Sequence, residues 1–102
     1  MMNQAEYLQA FREVTEHMFT ITEAKNKDYS WDWATDAFAN FKVVEEFWIS
    51  VEDWFITRML DKMKRISNLV RQDTYVQWEK ITDTLEDLAN YSILFLLYLK
   101  SK

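Results

Sequence analysis

The 102-residue sequence contains no glycine and no proline. Average usage would give a chain of this length about seven glycines and about five prolines. Two-residue β-hairpin turns need positive φ angles, which glycine adopts most easily, so this absence disfavours β-sandwiches and barrels. It also excludes the glycine-rich loops that bind phosphates and dinucleotides. We therefore expect a helical protein.

Cysteine is also absent, and His17 is the single histidine. Without cysteine there can be no disulfide, no cysteine-ligated zinc and no thiol nucleophile. One histidine cannot form a multi-histidine metal site within one chain, and we interpret His17 as an ordinary residue on a helix face. The formal net charge of −5 disfavours duplex nucleic acid as a partner, because its binding proteins present a basic surface.

Composition also indicates the class and compartment of the protein. Apolar residues make up 49% of the chain, which is enough to form a core and argues against disorder. The N-terminal sequence MMNQAEYLQAF has neither the basic start nor the apolar run of a secretory signal. The absence of cysteine favours a reducing compartment. We expect one domain over residues 1–102 and a cytoplasmic location.

Hydrophobic spacing divides the chain into three long helices, over about 4–26, 50–71 and 74–100, with one or two short helices between them. Asn3, Ser50 and Thr74 stand where N-caps are expected, and Thr35 or Asp36 would cap a short helix. The stretch 28–33, with Trp31 and Trp33, is interpreted as an ordered loop. The fold class predicted is an all-α helical bundle.

Each of the three long helices carries an apolar stripe at helical spacing. In chain order, the stripes are Tyr7, Leu8, Phe11, Val14, Met18 and Phe19; Ile56, Met59, Met63, Ile66 and Val70; and Trp78, Ile81, Leu85, Leu88 and Ser92.

The stretch 91–99, YSILFLLYL, is apolar on nearly every side. It is too short to span a bilayer, which takes about 20 residues, so no membrane association is expected. A helix that is apolar all round is normally buried on several sides. We therefore predict a homo-oligomer, a dimer or larger, that covers this end of the last helix. Trp48, Trp54, Trp78 and the methionines are interpreted as core or interface residues.

Two polar stripes follow helical spacing. One consists of Trp54, Arg58, Asp61, Arg65 and Asn68, and the other of Asp83, Asp87 and Asn90 continuing into Leu94 and Leu97. Such stripes are typical of the solvated face of any amphipathic helix. Carboxylates at helical spacing also build metal sites in helical bundles, where oxygen ligands select Mg²⁺ or Mn²⁺. The pattern alone leaves both interpretations open.

Four blocks occur in order along the chain: KNKDY at 25–29, DAFANF at 36–41, RMLDKMKR at 58–65 and DTLEDLANY at 83–91. Together they resemble the phage and bacterial family called nucleotide modification associated domain 1, a relative of the MazG-like all-α nucleotide pyrophosphohydrolases. The resemblance covers about residues 21–95. It implies a helical bundle that associates through its helices and holds a nucleoside phosphate with Mg²⁺.

The resemblance also implies roles for individual residues. In the MazG-like relatives a helical E-x-x-E pair and a later E-x-x-D pair hold the metal. The later pair corresponds here to Asp87 and Asn90, and Asp61 lies nearest to the earlier one. The catalytic residues would then be Asp61, Asp83 and Asp87. The same three residues, together with Glu79, would be the Mg²⁺ ligands. Arg58, Lys62 and Arg65 would neutralise the phosphate charge. Lys25, Asn26 and Asp28 would contact phosphate or sugar, and Asn90 would also contact the substrate. Tyr29 or Trp31 would stack on a base.

Two other functions compete with nucleotide binding. An acidic, aromatic-rich helical protein could be a non-catalytic phage-type inhibitor that presents negative charge to a basic host protein, and the absence of a complete E-x-x-E pair favours this hypothesis. A purely structural helical oligomer is the third hypothesis. Only the first predicts that Mg²⁺ and a nucleotide stabilise the fold.

Overall fold

A computed structural model describes residues 1–29, 36–72 and 75–102, with side chains described for 1–26, 36–72 and 80–102. About 85% of the described residues are helical and none of them lies in a strand, which confirms the all-α fold class. In chain order the elements are α1 (Gln4–Tyr29), α2 (Ala39–Lys42), a 3₁₀ helix (Val43–Phe47), α3 (Val51–Leu69) and α4 (Tyr75–Ser101). The predicted loop over 28–33 is wrong for residues 28 and 29, which belong to α1. Residues 30–33 and the predicted caps at Thr35 and Thr74 lie outside the described residues.

Internal contacts divide the chain into two compact units, Met1–Asn40 and Phe41–Lys102. The single domain expected from chain length therefore stays a prediction. In the described part of the chain, no helix combines the length and the apolar character needed to cross a membrane.

The first unit consists mainly of α1. The predicted cap is confirmed, because the Asn3 side-chain oxygen accepts a hydrogen bond from the Glu6 backbone N–H at 2.8 Å. The helix ends at Tyr29, three residues beyond the expected end, since neither glycine nor proline is present to stop it. Met18 is buried, whereas most of the predicted apolar stripe is exposed, including Tyr7 and Phe11.

The short helices precede α3. The Asp36 carboxylate accepts a hydrogen bond from the Phe38 N–H at 2.9 Å, which opens the turn before α2. The 3₁₀ helix ends at Trp48, whose backbone lies in the left-handed region with φ 60° and ψ 28°. Two residues later the Ser50 hydroxyl accepts a hydrogen bond from the Asp53 N–H at 3.0 Å, so the predicted cap of α3 is confirmed.

The core of the second unit lies between α3 and α4, which run antiparallel. Phe55 is completely buried and stacks on Phe95, with ring centroids 5.1 Å apart and planes within 8°. Apolar packing of this kind, at about 1.5–3 kcal/mol for each fully buried large side chain, is the main force holding the pair together. Among the side chains described in this unit, the buried ones are Val51, Phe55, Leu69, Ile81, Thr84 and Tyr98.

The side of α3 that packs on α4 differs from the predicted apolar stripe. Ile56 and Met63 belong to that stripe, yet they are 47% and 53% exposed. Helix α3 instead turns Phe55 and the basic side chains beside it towards α4. The reason is that α3 carries apolar residues around much of its circumference, so the hydrophobic pattern does not select a unique packing side.

Candidate functional site

Two of the sequence blocks meet where α3 contacts α4. Helix α3 carries Arg58, Asp61 and Lys62, and the facing turns of α4 carry Asp87 and Tyr91. The pairs Lys62–Asp87 and Arg58–Tyr91 follow each other one helical turn apart, as the antiparallel register requires. We call these five residues the cross-helix ladder.

The first step of the ladder is an ion pair between the helices. The Lys62 Nζ lies 3.3 Å from the Asp87 Oδ2. The Lys62 side chain is only 19% exposed, whereas the Asp87 side chain is 56% exposed. The cation is therefore the more buried partner, and its carboxylate faces solvent, where a ligand can reach it.

The second step joins a guanidinium to an aromatic ring. The Arg58 Cζ lies 5.9 Å from the centre of the Tyr91 ring, a cation–π distance. A hydrogen bond between Arg58 and Tyr91 raises the pKa of Arg58 above its usual range, and the charge of Asp61 adds to this effect. Asp61 also pairs with Arg58 along α3, at 3.9 Å. Arg58 is thus held as a permanent cation beside a solvent-facing carboxylate.

Aromatic side chains pack against one end of the ladder. Trp54 lies one turn before Arg58 on α3, and its ring contacts those of Tyr91 and Phe41, with centroids 6.0 Å and 5.2 Å away. This packing restricts the rotation of Tyr91 and so orients the group that receives the Arg58 hydrogen bond. The sequence patterns placed Tyr91 in the apolar stretch 91–99 and indicated no ligand-binding role for it, although it is the last residue of the DTLEDLANY block.

The remaining described site residues of this unit lie on the same two polar stripes as the ladder residues. Asp83 and Arg65 are exposed, and Asn90 is half-buried. The register that pairs Lys62 with Asp87 places Asp83 and Arg65 at a similar level along the two helices, one turn away. The described contacts therefore join Lys62 to Asp87 and Arg58 to both Asp61 and Tyr91. Asp83 and Arg65 lie exposed one turn further along the two helices.

Other predicted residues belong to the first unit or are not described. Lys25 and Asn26 lie on the last turns of α1, Lys25 exposed and Asn26 half-buried. The side chains of Asp28, Tyr29 and Glu79 fall outside the described residues, and so does Trp31. Their predicted roles stay predictions.

The arrangement has a definite chemical character. Within the described side chains, no group of three or more acidic or histidine residues is placed to hold a metal ion. The ladder instead balances two cations, Arg58 and Lys62, with two carboxylates, Asp61 and Asp87. Such a set can hydrogen-bond an anion through the cations and ligate a hard cation through the carboxylate oxygens.

Comparison of the sequence with protein-family models and curated proteins, and of the structure with solved structures, gave no match.

Proposed function

We propose that the cross-helix ladder binds a nucleoside phosphate together with Mg²⁺, the activity implied by the resemblance to MazG-like pyrophosphohydrolases. One observation carries the proposal: residues of two separate blocks, RMLDKMKR and DTLEDLANY, contact each other side chain to side chain. Lys62 pairs with Asp87, and Arg58 lies over Tyr91. These are residues to which the resemblance assigns phosphate and metal binding, with Tyr91 added by the geometry.

The charge balance of the ladder supports a combined ligand over either component alone. A free polyphosphate would be attracted by Arg58 and Lys62 and repelled by the two carboxylates. Free Mg²⁺ would be attracted by the two carboxylates and repelled by Arg58 and Lys62. A Mg²⁺–phosphate complex would satisfy both sets, because Arg58 and Lys62 would pair with phosphate oxygens and the carboxylates of Asp61 and Asp87 would hold the metal.

The donor set fits Mg²⁺ in this role. Mg²⁺ is commonly held by one or two carboxylates, with waters and substrate phosphates completing its octahedral shell. Asp61 and Asp87 supply that number of carboxylates, and Asp83 lies one turn further along α4. The bound ion would neutralise phosphate charge and lower the pKa of a coordinated water. We propose hydrolysis of a nucleoside triphosphate to monophosphate and pyrophosphate as the reaction, in the cytoplasm.

Thermal unfolding with and without ligands tests this proposal. Purified protein is heated with each deoxynucleoside triphosphate alone, with Mg²⁺ alone and with both, and the products are analysed for monophosphate and pyrophosphate. We expect a rise in Tm only for one nucleotide combined with Mg²⁺. Lys62→Met should reduce the rise, and Lys64→Met, which changes an exposed lysine on the same helix, should keep it. No shift and no product with any of the nucleotides would refute the function.

We also propose that the protein is a homo-oligomer that covers an apolar face of the α3–α4 pair. At 100° per residue, Ile56 and Met63 lie nearly opposite Arg58 and Asp61 on α3, and Leu85, Leu96 and Leu99 lie nearly opposite Asp87 on α4. All five apolar side chains are about half exposed and share the side away from the ladder. Covering them is worth about 1 kcal/mol each. Sedimentation velocity should show a dimer or larger species that Leu96→Glu dissociates.

A further inference from the structure

Trp48 combines two unusual features. Its side chain is 95% exposed. Its backbone occupies the left-handed region, with φ 60°, which glycine adopts freely and bulky residues avoid. Backbone hydrogen bonds from Trp48 N to Glu45 O and from Ile49 N to Val44 O fix this conformation at the end of the 3₁₀ helix. The strain is therefore not compensated by burial of the indole.

The neighbours of Trp48 extend it into an apolar projection. Phe47 and Ile49 are exposed on either side of it. The 3₁₀ helix precedes this group, and the Ser50 cap of α3 follows it directly. We call residues 47–49 the aromatic knob. Because both flanks are regular structure and backbone hydrogen bonds fix the main chain, a partner that binds the knob would have to order only its side chains.

Acidic residues flank the knob on both sides along the chain. Glu45 and Glu46 precede it on the 3₁₀ helix, and Asp53 follows it in the first turn of α3, all three exposed. Glu52 lies in the same turn and pairs with Lys102, with Oε1 and Nζ 2.7 Å apart, and Lys102 also interacts with the charge of Glu45. We call these four acidic residues the acidic rim; they outnumber this one lysine, so the rim carries a negative charge excess. This charge disfavours the anionic lipid surfaces to which exposed aromatic residues otherwise attach.

We propose that the aromatic knob is a docking anchor for another protein, one whose surface offers an apolar stripe bordered by lysine and arginine. Trp48 would pack on that stripe, as exposed tryptophans do at the centres of protein interfaces. The acidic rim would pair with the basic rim of the partner and steer the encounter. This surface uses none of the ladder residues, so its function is independent of nucleotide binding.

The test uses ¹⁹F NMR of the full chain labelled with 5-fluorotryptophan. The chain has five tryptophans, and the resonance missing from Trp48→Phe identifies residue 48. The probe is an amphipathic helical peptide of leucine and lysine, which presents an apolar stripe between basic rows. Its counterpart of leucine and glutamate is the matched control. We expect a saturable shift of the Trp48 resonance with the basic peptide only, weakened by salt.

Variants locate the effect. Trp48→Ala should weaken peptide binding at least about tenfold, whereas Phe19→Ala, which removes a comparably exposed aromatic on α1, should leave it unchanged. The double variant E45Q/E46Q should weaken binding several-fold more than E16Q/E23Q, which makes the same charge change on α1. Circular dichroism checks that each variant is folded.

Four results would overturn the proposal. They are no shift of the Trp48 resonance with the basic peptide, equal shifts with both peptides, a shift on adding anionic lipid vesicles, and a shift that depends on protein concentration alone. The third would indicate a membrane as the occupant and the fourth a second copy of this chain. Nucleotide-dependent stabilisation is unaffected by any of these results.

Discussion

The unequal burial of Lys62 and Asp87 predicts that the two halves of their ion pair contribute unequally to stability. Replacing Lys62 with methionine removes the cation and leaves Asp87, whose side chain is 56% exposed, free to hydrate. We expect the free energy of unfolding to change by no more than about 1 kcal/mol, as for exposed ion pairs. Methionine also retains most of the apolar stem that Lys62 packs between the helices.

Replacing Asp87 with asparagine has the opposite consequence. Lys62 then keeps its charge in a position that is only 19% exposed, without a carboxylate to balance it. A poorly compensated buried charge should lower stability by about 1–2 kcal/mol. For a chain of about this size, each kcal/mol of lost stability lowers the Tm by roughly 4–8 °C. Asp83→Asn, the same change at an exposed position of α4, should cost less than about 0.5 kcal/mol.

Urea unfolding followed by circular dichroism measures these differences, and isothermal titration calorimetry measures ligand binding in the same variants. Lys62→Met should unfold near the wild-type midpoint. It should bind a nucleotide with Mg²⁺ at least about tenfold more weakly, because one charge-assisted hydrogen bond to the ligand is lost. If Lys62→Met destabilises the protein as much as Asp87→Asn does, the burial argument is refuted. If binding is unchanged in Lys62→Met, the ladder is structural only.

Other predictions follow from local structure. Ser50→Ala removes the cap of α3 and should cost about 1 kcal/mol in urea unfolding, whereas Ser67→Ala, on the exposed side of the same helix, should be nearly neutral. Lys102 lowers the pKa of Glu52 below 4.5, and Glu52 raises the pKa of Lys102 above 10.5. The stabilisation from this pair is therefore fully present between these two values, and is lost as pH falls through the lowered pKa or rises through the raised one. The stability difference between wild type and Lys102→Met, measured against pH, should follow that profile, and a flat profile would contradict it. Trp48→Gly should raise the free energy of unfolding by about 0.5–1 kcal/mol, because glycine relieves the left-handed strain and loses part of that gain to its greater freedom when unfolded.

The sequence alone determined the helical class and the positions of the helices. The absence of glycine and proline removed the residues that most often break helices or form tight turns. The caps at Asn3 and Ser50 were predictable because a cap is a contact between residues three apart, which local sequence contains in full. The polar rows on α3 and α4 were visible for the same reason, as a repeat along one helix.

The tertiary structure decided which sides of α3 and α4 meet. Phe55 is completely buried against α4 while Ile56, its neighbour in the sequence, is half exposed. Helical periodicity ranks both as apolar, and only the fit of the Phe55 ring on Phe95 selects between them. The pairing of Lys62 with Asp87 follows from that choice, since an interhelical contact depends on the rotation and register of two helices together. Neither quantity is encoded in the periodicity of one helix.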